Sequence, residues 1–195
     1  MKQSGKIKVS LELNMIEKQA VFLDRDGVIN ECIFDKKINS NSPRYLNEFR
    51  ILPKVKDALM HLKEMNFLLI VVTNQPDVSR GIILKSDVEK IHEYIQKNLP
   101  INDIYVCYDS NDSNPYKKPN NMMFIDAAKK WKIDLSKSYL VGDRKKDIDA
   151  GIKSGCKTFF IDYNYKEDKP KNPNYVVKSL FEATEVIRKL KNENK

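Results

Sequence analysis

The chain has 195 residues, of which 41% are hydrophobic and 32% are charged, and its formal net charge is +8 at pH 7. This length fits one domain with a single core, and no apolar run approaches the roughly 18 residues that a membrane span needs. The lysine-dotted N-terminus lacks the apolar stretch of a secretory signal peptide, so we expect a cytoplasmic protein with no membrane partner.

Neither the positive charge nor the cysteines indicate a specialised class of protein. Only six of the 35 basic residues are arginine, and the lysines are dispersed among acidic residues, so nucleic-acid binding is not expected. The three cysteines, Cys32, Cys107 and Cys156, lie far apart in the chain and lack the spacing of a disulfide framework or a zinc site. A reducing compartment agrees with this usage.

Short β-branched runs alternate with longer amphipathic segments along the chain. The predicted strands are Ala20–Leu23, Leu68–Thr73, Asp103–Tyr108, Tyr139–Gly142, Thr158–Ile161 and Tyr175–Val177. The predicted helices are Val55–Met65, Asp87–Asn98, Met122–Trp131, Ile148–Ser154 and Leu180–Leu190. This alternation predicts an α/β, doubly wound (Rossmann-like) parallel sheet flanked by helices.

An N-terminal extension over residues 1–18 is predicted to precede a single domain over residues 19–195. Within the extension, Ile7, Val9, Leu11 and Leu13 alternate with polar residues. This pattern leaves an added edge strand open as an alternative to the leader that we favour.

The stretch "FLDRDGVIN", residues 22–30, places Asp24 and Asp26 directly after the first predicted strand. Because strand side chains alternate with period two, both carboxylates are expected to point to the same side. Two close carboxylates repel each other unless a cation neutralises one, and Mg²⁺ prefers such oxygen ligands. The pair therefore indicates a magnesium site, although "DRDG" is also a plausible turn without any ligand.

Polar side chains also follow other predicted strands, at the edge where open parallel sheets bind ligands. The second strand ends in "VVTNQ", whose hydroxyl and amide groups are suited to phosphate oxygens. The fourth strand ends in "YLVGDRKKD", and a lysine pair precedes Pro119 between these two strands. The residues concerned are Thr73, Asn74, Lys117, Lys118, Asp143 and Asp147.

Four of the six arginines lie on loops just after predicted strands or shortly beyond them: Arg25, Arg44, Arg80 and Arg144. A guanidinium group binds phosphate and carboxylate groups well. These arginines and Lys117 are predicted to contact an anionic substrate.

The four motifs "FLDRDGVIN", "VVTNQ", "KKP" and "VGDRKKD" together resemble those of the haloacid dehalogenase-like (HAD) phosphohydrolase superfamily, over about residues 19–162. The resemblance implies that Asp24 is a nucleophile that forms an aspartyl-phosphate, and that Asp26 is the general acid and base. It also implies that Thr73 and Lys118 bind the transferring phosphoryl group.

The same resemblance implies a Mg²⁺ cofactor held by Asp24, Asp143 and the backbone carbonyl of Asp26, with Asp147 as an additional acidic ligand or support. Larger members of the superfamily carry a cap domain after the first or second motif. Residues 30–52 and 73–117 leave no room for one, so a capless HAD fold is expected.

Within the superfamily, "DRDGVIN", "TNQPDVSRG" and "KKP" are similar to the heptose 1,7-bisphosphate phosphatases and histidinol phosphatases. The resemblance implies hydrolysis of a small phosphorylated sugar, most simply the 7-phosphate of D-glycero-D-manno-heptose 1,7-bisphosphate in surface-glycan synthesis. Relatives in both groups usually bind zinc through three cysteines and a histidine before the third motif. Here "CYDSNDSNPYKKP" retains only Cys107, so no zinc is expected.

Three alternatives remain open from the sequence: a histidinol-phosphate phosphatase, a polynucleotide 3'-phosphatase and a catalytically silent binding protein. The absence of a clustered basic stripe disfavours the second, and the competent residues at every motif position disfavour the third. We expect a monomer.

Overall fold

The computed structural model describes residues 17–33 and 42–193. Their six strands form one parallel sheet: β1 (Ala20–Leu23), β2 (Leu68–Asn74), β3 (Asp103–Cys107), β4 (Tyr139–Gly142), β5 (Lys157–Ile161) and β6 (Tyr175–Val177). The strand order is β3-β2-β1-β4-β5-β6. Five helices connect or follow the strands: α1 (Val55–Glu64), α2 (Lys85–Asn98), α3 (Met122–Trp131), α4 (Lys145–Ser154) and α5 (Leu180–Glu193).

The helices cover both faces of the sheet, because the buried strand side chains alternate in direction. Val21 and Leu23 of β1 belong to a core with apolar residues of α1, α2 and α5. Ala20 and Phe22 of the same strand belong to a second core with residues of α3 and α4. All four residues of β1 are fully buried, which agrees with a central strand covered on both sides. The predicted doubly wound α/β fold is therefore confirmed.

All the predicted strands and helices are present, with small differences at their ends. The largest are three residues each: α5 ends at Glu193 rather than at Leu190, and α4 begins at Lys145 rather than at Ile148. Its start is set by a cap, since the Asp147 carboxylate accepts a hydrogen bond from the backbone N–H of Arg144 at 2.9 Å. The prediction from the spacing of apolar residues missed this first turn, because its residues are polar.

The strand order places a crevice between β1 and β4. From β1 the chain proceeds through β2 to β3 on one side, whereas β4, β5 and β6 extend on the other side. Such a reversal opens a space beyond the carboxyl ends of the two strands, where ligands bind in open α/β sheets. Asp24 follows β1 and Asp143 follows β4, so both lie at this crevice.

The connections beyond β1 and β2 are short in the described part of the chain. Residues 42–54 contain a 3-10 turn over Leu46–Glu48 and an isolated bridge residue, Ile51, and residues 75–84 form a loop between β2 and α2. No cap domain is inserted in these described segments, as expected for a capless fold. None of the described helices is both long enough and apolar enough to cross a membrane.

The predicted extension over residues 1–18, with its alternative edge strand, lies outside the described residues except for Glu17 and Lys18. Lys18 forms an isolated parallel bridge with Ile133.

Candidate active site

A buried lysine joins two carboxylates at the carboxyl edge of the sheet. Lys118 Nζ lies 2.8 Å from Asp24 Oδ1 and 2.8 Å from Asp147 Oδ1, and it donates a hydrogen bond to the backbone carbonyl of Val72 at 2.7 Å. All three charged residues are buried. Burial alone lowers the pKa of Lys118, but the two carboxylates outweigh it and raise that pKa above its ordinary value. Lys118 is therefore a permanent cation beside Asp24.

Asp143 adds a third buried carboxylate. Asp24, Asp143 and Asp147 each offer an oxygen, and these three oxygens lie within 4.8 Å of one another. Neither oxygen of Asp143 accepts a hydrogen bond of normal geometry from a described residue, although Arg144 Nε forms an ion pair with Oδ2 at 3.4 Å. Burial and the neighbouring carboxylates raise the pKa of Asp143 well above its usual range, and they raise the pKa of Asp24 to about 6. Three carboxylates thus face two cations, Lys118 and Arg144, so the cluster retains an excess of negative charge.

This excess charge fits a divalent cation with oxygen ligands. A buried carboxylate with two unsatisfied oxygens is costly unless a cation or proton approaches it, and Mg²⁺ is bound by such carboxylates. Among the described residues, Asp24, Asp143 and Asp147 form the one group of three or more acidic, histidine or cysteine side chains with suitable spacing. The donor set agrees with the magnesium site expected from the sequence.

A glycine makes room for the Asp143 carboxylate. Gly27 has φ +82°, and a Cβ at this position would lie 2.2 Å from Asp143 Oδ2. Its backbone carbonyl accepts a hydrogen bond from the Tyr163 hydroxyl at 2.9 Å. Both the positive φ and the close approach require glycine at this place in "DRDG".

Asp26 is held by five donor groups. Its Oδ1 accepts hydrogen bonds from Arg25 Nε at 3.2 Å and from Asn30 Nδ2 at 2.9 Å. Its Oδ2 accepts from Gln75 Nε2 and Ser42 Oγ, both at 2.8 Å, and Arg25 Nη2 lies 3.1 Å from each oxygen. Burial raises the pKa of Asp26, but the Arg25 charge and the hydrogen bonds outweigh burial and lower it below the ordinary value.

Arg25 does not occupy the place predicted for it. Its side chain is 0% exposed and extends from Asp26 toward α2, where Nη1 lies 3.3 Å from His92 Nε2. A guanidinium enclosed in this way has no surface to offer a substrate, so the predicted substrate contact is wrong. Sequence reasoning missed this placement because the residue that receives Nη1 is 67 positions away in the chain.

Asn74 is also engaged differently from the predicted phosphate contact. Its side-chain Nδ2 donates to the backbone carbonyl of Lys118, and its Oδ1 accepts from the backbone N–H of Lys118, both at 3.0 Å. The side-chain amide therefore anchors the loop that carries Lys118. Thr73 is buried beside it, and its hydroxyl accepts a hydrogen bond from Gln75 Nε2 at 3.0 Å.

A cleft of about 650 Å³ opens beside this buried centre. Arg80, Lys117, Lys118 and Lys146 are its cationic lining residues. Lys146 also lines a smaller cavity of about 50 Å³ with Asp24, Asp26 and Asp143. The sequence analysis missed Lys146, and the signal available there was the second lysine of "GDRKKD".

The cations of the cleft differ in their partners. Arg80 Nη1 pairs with Asp77 Oδ1 at 3.0 Å, and Lys117 Nζ pairs with Asp112 Oδ1 at 2.7 Å. No carboxylate of the described residues forms an ion pair with Lys146. Lys146 therefore faces the cleft without a direct ion pair to a described carboxylate, although Asp24, Asp26 and Asp143 line the smaller cavity with it.

Two further arginines were predicted to contact the substrate. Arg144 Nε lies 3.4 Å from Asp143 Oδ2, the guanidinium stacks 3.7 Å from the centre of the Tyr165 ring, and Nη1 pairs with Glu167. Arg44 is half-buried just before the 3-10 turn, and its backbone N–H donates to Glu48 at 2.7 Å. Arg144 thus lies at the acidic cluster, whereas the structure does not place Arg44 among the residues lining the cleft.

The loop between Cys107 and Lys118 is closed by polar side chains. Asp109 Oδ1 accepts from the backbone N–H of Asn111 and Oδ2 accepts from Asn114 Nδ2, both at 2.9 Å. Lys117 Nζ spans the loop to Asp112 and to the backbone carbonyl of Ser110. These contacts connect the loop to one wall of the cleft.

Comparison with known proteins agrees with the geometry. Residues 115–183 match the model of the HAD-hydrolase-like family. The chain is 31% identical over 150 residues to the D-glycero-β-D-manno-heptose-1,7-bisphosphate 7-phosphatase of Helicobacter pylori (strain ATCC 700392 / 26695), covering 73% of this chain and 83% of that protein. It is 29% identical over 191 residues to the protein of the same name from Haemophilus influenzae, covering 89% and 98%.

A solved structure shows the same fold. The D,D-heptose 1,7-bisphosphate phosphatase from B. bronchiseptica, complexed with magnesium and phosphate, superimposes with a TM-score of 0.75 at 23% identity, covering 88% of this chain and 99% of that one. The sequence relatives extend over most of both chains, and the family model includes the third and fourth motifs. The chain therefore belongs to the HAD-like hydrolase family and is one of its phosphatases.

Proposed function

We propose that this phosphatase removes the 7-phosphate of D-glycero-D-manno-heptose 1,7-bisphosphate in a Mg²⁺-dependent reaction. The observation that carries the chemistry is the buried Asp24, paired with Lys118 and adjacent to Asp143 at the base of a cation-lined cleft. The relatives named for this activity match nearly the whole chain and support the choice of substrate.

In the first step, a carboxylate oxygen of Asp24 forms a bond to the phosphorus atom while the bond from phosphorus to the sugar oxygen breaks. The lowered pKa of Asp26 keeps its carboxylate ionised in the free protein, so Asp26 has to take up a proton in the substrate complex. It then passes that proton to the leaving alkoxide, which becomes the sugar hydroxyl. Lys118 offsets charge on Asp24 and on the phosphoryl oxygens. Asp24 is suited to attack because its pKa, about 6, leaves it mostly ionised at neutral pH.

In the second step, water attacks the phosphorus atom of the aspartyl-phosphate. Asp26 removes a proton from that water, and the Asp24 carboxylate leaves as inorganic phosphate forms. The hydrogen bonds on both oxygens of Asp26 hold its carboxylate in one orientation during these transfers. Gln75 also connects Asp26 to Thr73, which we propose as a contact of the phosphoryl group.

Asp24, Asp143 and the backbone carbonyl of Asp26 would hold the Mg²⁺, which when bound offsets negative charge on the phosphoryl oxygens. Asp147 contributes as a support. It pairs with Lys118 and caps α4 through the backbone N–H of Arg144. Both interactions fix charged groups that border the acidic cluster.

The rest of the substrate occupies the cleft in this proposal. Arg80, Lys117 and Lys146 surround a space of about 650 Å³, in the range of small-molecule sites. A second phosphate on the sugar would be attracted by these cations. We further propose a single domain over residues 19–195, a monomeric state and a cytoplasmic location, where the free thiols Cys32, Cys107 and Cys156 agree with a reducing compartment.

The test is phosphate release with Mg²⁺ from three substrates: the heptose bisphosphate, histidinol phosphate and a 3'-phosphorylated oligonucleotide. We expect the highest kcat/KM for the heptose ester, and no release from any substrate by Asp24→Asn. Preference for another ester would overturn the substrate assignment. Retained Mg²⁺-dependent release by Asp24→Asn would overturn the nucleophile.

A further inference from the structure

Arg25 is the largest of the fully buried side chains in the described part of the protein. A buried guanidinium is costly unless its N–H groups are paired, because it loses its hydration. Its Nε and Nη2 atoms are paired with the Asp26 carboxylate at 3.1–3.2 Å. Its Nη1 atom points away from the active site toward α2.

His92 receives this third nitrogen. It is buried on α2, and its Nε2 lies 3.3 Å from Arg25 Nη1. Burial and the charge of Arg25 lower the pKa of His92 to about 3, so the imidazole is neutral and Nε2 can act as the acceptor. The contact therefore orients the guanidinium from the side opposite Asp26.

The other groups on Asp26 come from different directions. Asn30, Ser42 and Gln75 each contribute one donor, and each lies on a loop at the crevice. Among the hydrogen bonds of the described residues to Asp26, those of Arg25 reach both carboxylate oxygens, and Arg25 also has an anchor in a helix. The planar guanidinium of Arg25 can fix the orientation of the Asp26 carboxylate, because it binds both oxygens in one plane. A single donor on a flexible side chain cannot do this.

We propose that His92 and Arg25 are positioning residues for the proton transfers of Asp26. His92 holds the guanidinium in place, and the guanidinium fixes the carboxylate at the angle from which it reaches the leaving oxygen. This inference rests on the proposed role of Asp26 as general acid. A helix outside the catalytic loops thereby contributes to catalysis.

Leaving-group chemistry separates this role from a purely structural one. A sugar or alkyl phosphate needs a proton on its leaving oxygen, whereas p-nitrophenolate leaves without much help. A misdirected Asp26 therefore lowers kcat/KM for an alkyl ester more than for p-nitrophenyl phosphate. General distortion of the site lowers both values together.

The experiment compares His92→Ala and His92→Gln with wild type on the heptose bisphosphate, as the alkyl ester, and on p-nitrophenyl phosphate, as the aryl ester. We expect His92→Ala to lose about tenfold more kcat/KM on the alkyl ester than on the aryl ester, within the usual range of general-acid effects. His92→Gln supplies an amide oxygen near the position of Nε2, and it should regain most of the loss. Asp26→Asn, measured in parallel, should show the same substrate discrimination to a larger extent.

His61 provides the matched control, as the other histidine of the chain. It lies on α1, is 40% exposed in its side chain and approaches Glu185, so His61→Ala should retain both activities. Equal losses on the two esters by His92→Ala, or no loss, would overturn the inference. A wild-type protein that releases phosphate from neither ester with Mg²⁺ would instead overturn the proposed function.

Discussion

The buried centre and the rim of the cleft are built on different physical principles. Asp24, Lys118 and Asp147 are each less than a tenth exposed and are joined by ion pairs of 2.8 Å. At the rim, one member of each ion pair reaches solvent: the side chains of Arg80 and Asp112 are 45% and 94% exposed, whereas those of their partners Asp77 and Lys117 are 12% and 11% exposed. Buried charges depend strongly on their partners, whereas exposed ion pairs contribute little to stability. The comparison predicts that changes at the centre abolish turnover and that the rim can be altered to change specificity.

The largest effect is expected at Lys118. Lys118→Met leaves Asp24 and Asp147 buried without their shared cation, so the free energy of unfolding should fall by about 3–5 kcal/mol, and turnover should be lost. Asp24→Asn should also lose turnover, but it removes a charge from an overly negative cluster and should unfold no earlier than wild type. Urea unfolding and phosphate release measure both variants. A Lys118→Met protein as stable as wild type would contradict the claim that the buried charges depend on their partners more than the exposed ones do.

A smaller effect is expected at Gly27, whose backbone lies against the Asp143 carboxylate. Gly27→Ala places a methyl group 2.2 Å from Asp143 Oδ2 at a residue with φ +82°, so it should displace the carboxylate and weaken Mg²⁺ binding. Gly155→Ala has nearly the same backbone angle, φ +83°, with nothing within 4 Å of the added Cβ. Gly155→Ala therefore measures only the free-energy cost of placing alanine at a positive φ, about 1 kcal/mol. Calorimetric Mg²⁺ titration and thermal unfolding compare the two, and equal Mg²⁺ affinities would refute the steric explanation.

The same division separates what the sequence could predict from what it could not. Asp24 and Asp143 were predictable because each follows an apolar strand, and the carboxyl ends of parallel strands share one edge. Arg25 and Asn74 lie next to Asp24 and Thr73, whose positions at the strand ends were predictable, yet their own side chains bind groups 67 and 44 positions away. Local patterns contain no information on such partners, because packing of helices and loops against the sheet creates them.

Two adjacent lysines illustrate this limit. Lys145 and Lys146 are indistinguishable in "GDRKKD", and both lie in the polar first turn of α4. In the fold, Lys145 Nζ pairs with Asp149 at 2.5 Å, whereas Lys146 lines the cleft and the cavity above Asp24. Only the direction of each side chain around the helix separates their surroundings.

This pair also provides a test of the rim. Lys146→Gln should lower kcat/KM for the heptose bisphosphate by about tenfold, since one charge-assisted contact contributes roughly 1.5–3 kcal/mol at most. Lys145→Gln removes the same charge one residue away and should leave kcat/KM within about twofold, because exposed helix pairs contribute little. Steady-state kinetics on both variants decide the matter. Similar losses in the two would mean that overall charge, rather than placement, governs the effect.

The smallest effect is expected at Asp112, whose nearly fully exposed carboxylate competes with an incoming anion for Lys117. Asp112→Asn removes that competition, so KM for the bisphosphate should fall about two- to threefold, while the free energy of unfolding changes by less than about 1 kcal/mol. Asp87→Asn breaks an ion pair of similar length with Lys90 on α2, away from the residues that line the cleft, and should leave KM unchanged. An unchanged or higher KM in Asp112→Asn would mean that the pair positions Lys117 for the substrate. Lys117 would then depend on its acidic partner, as the charges of the buried centre do, and the distinction between centre and rim would not apply to it.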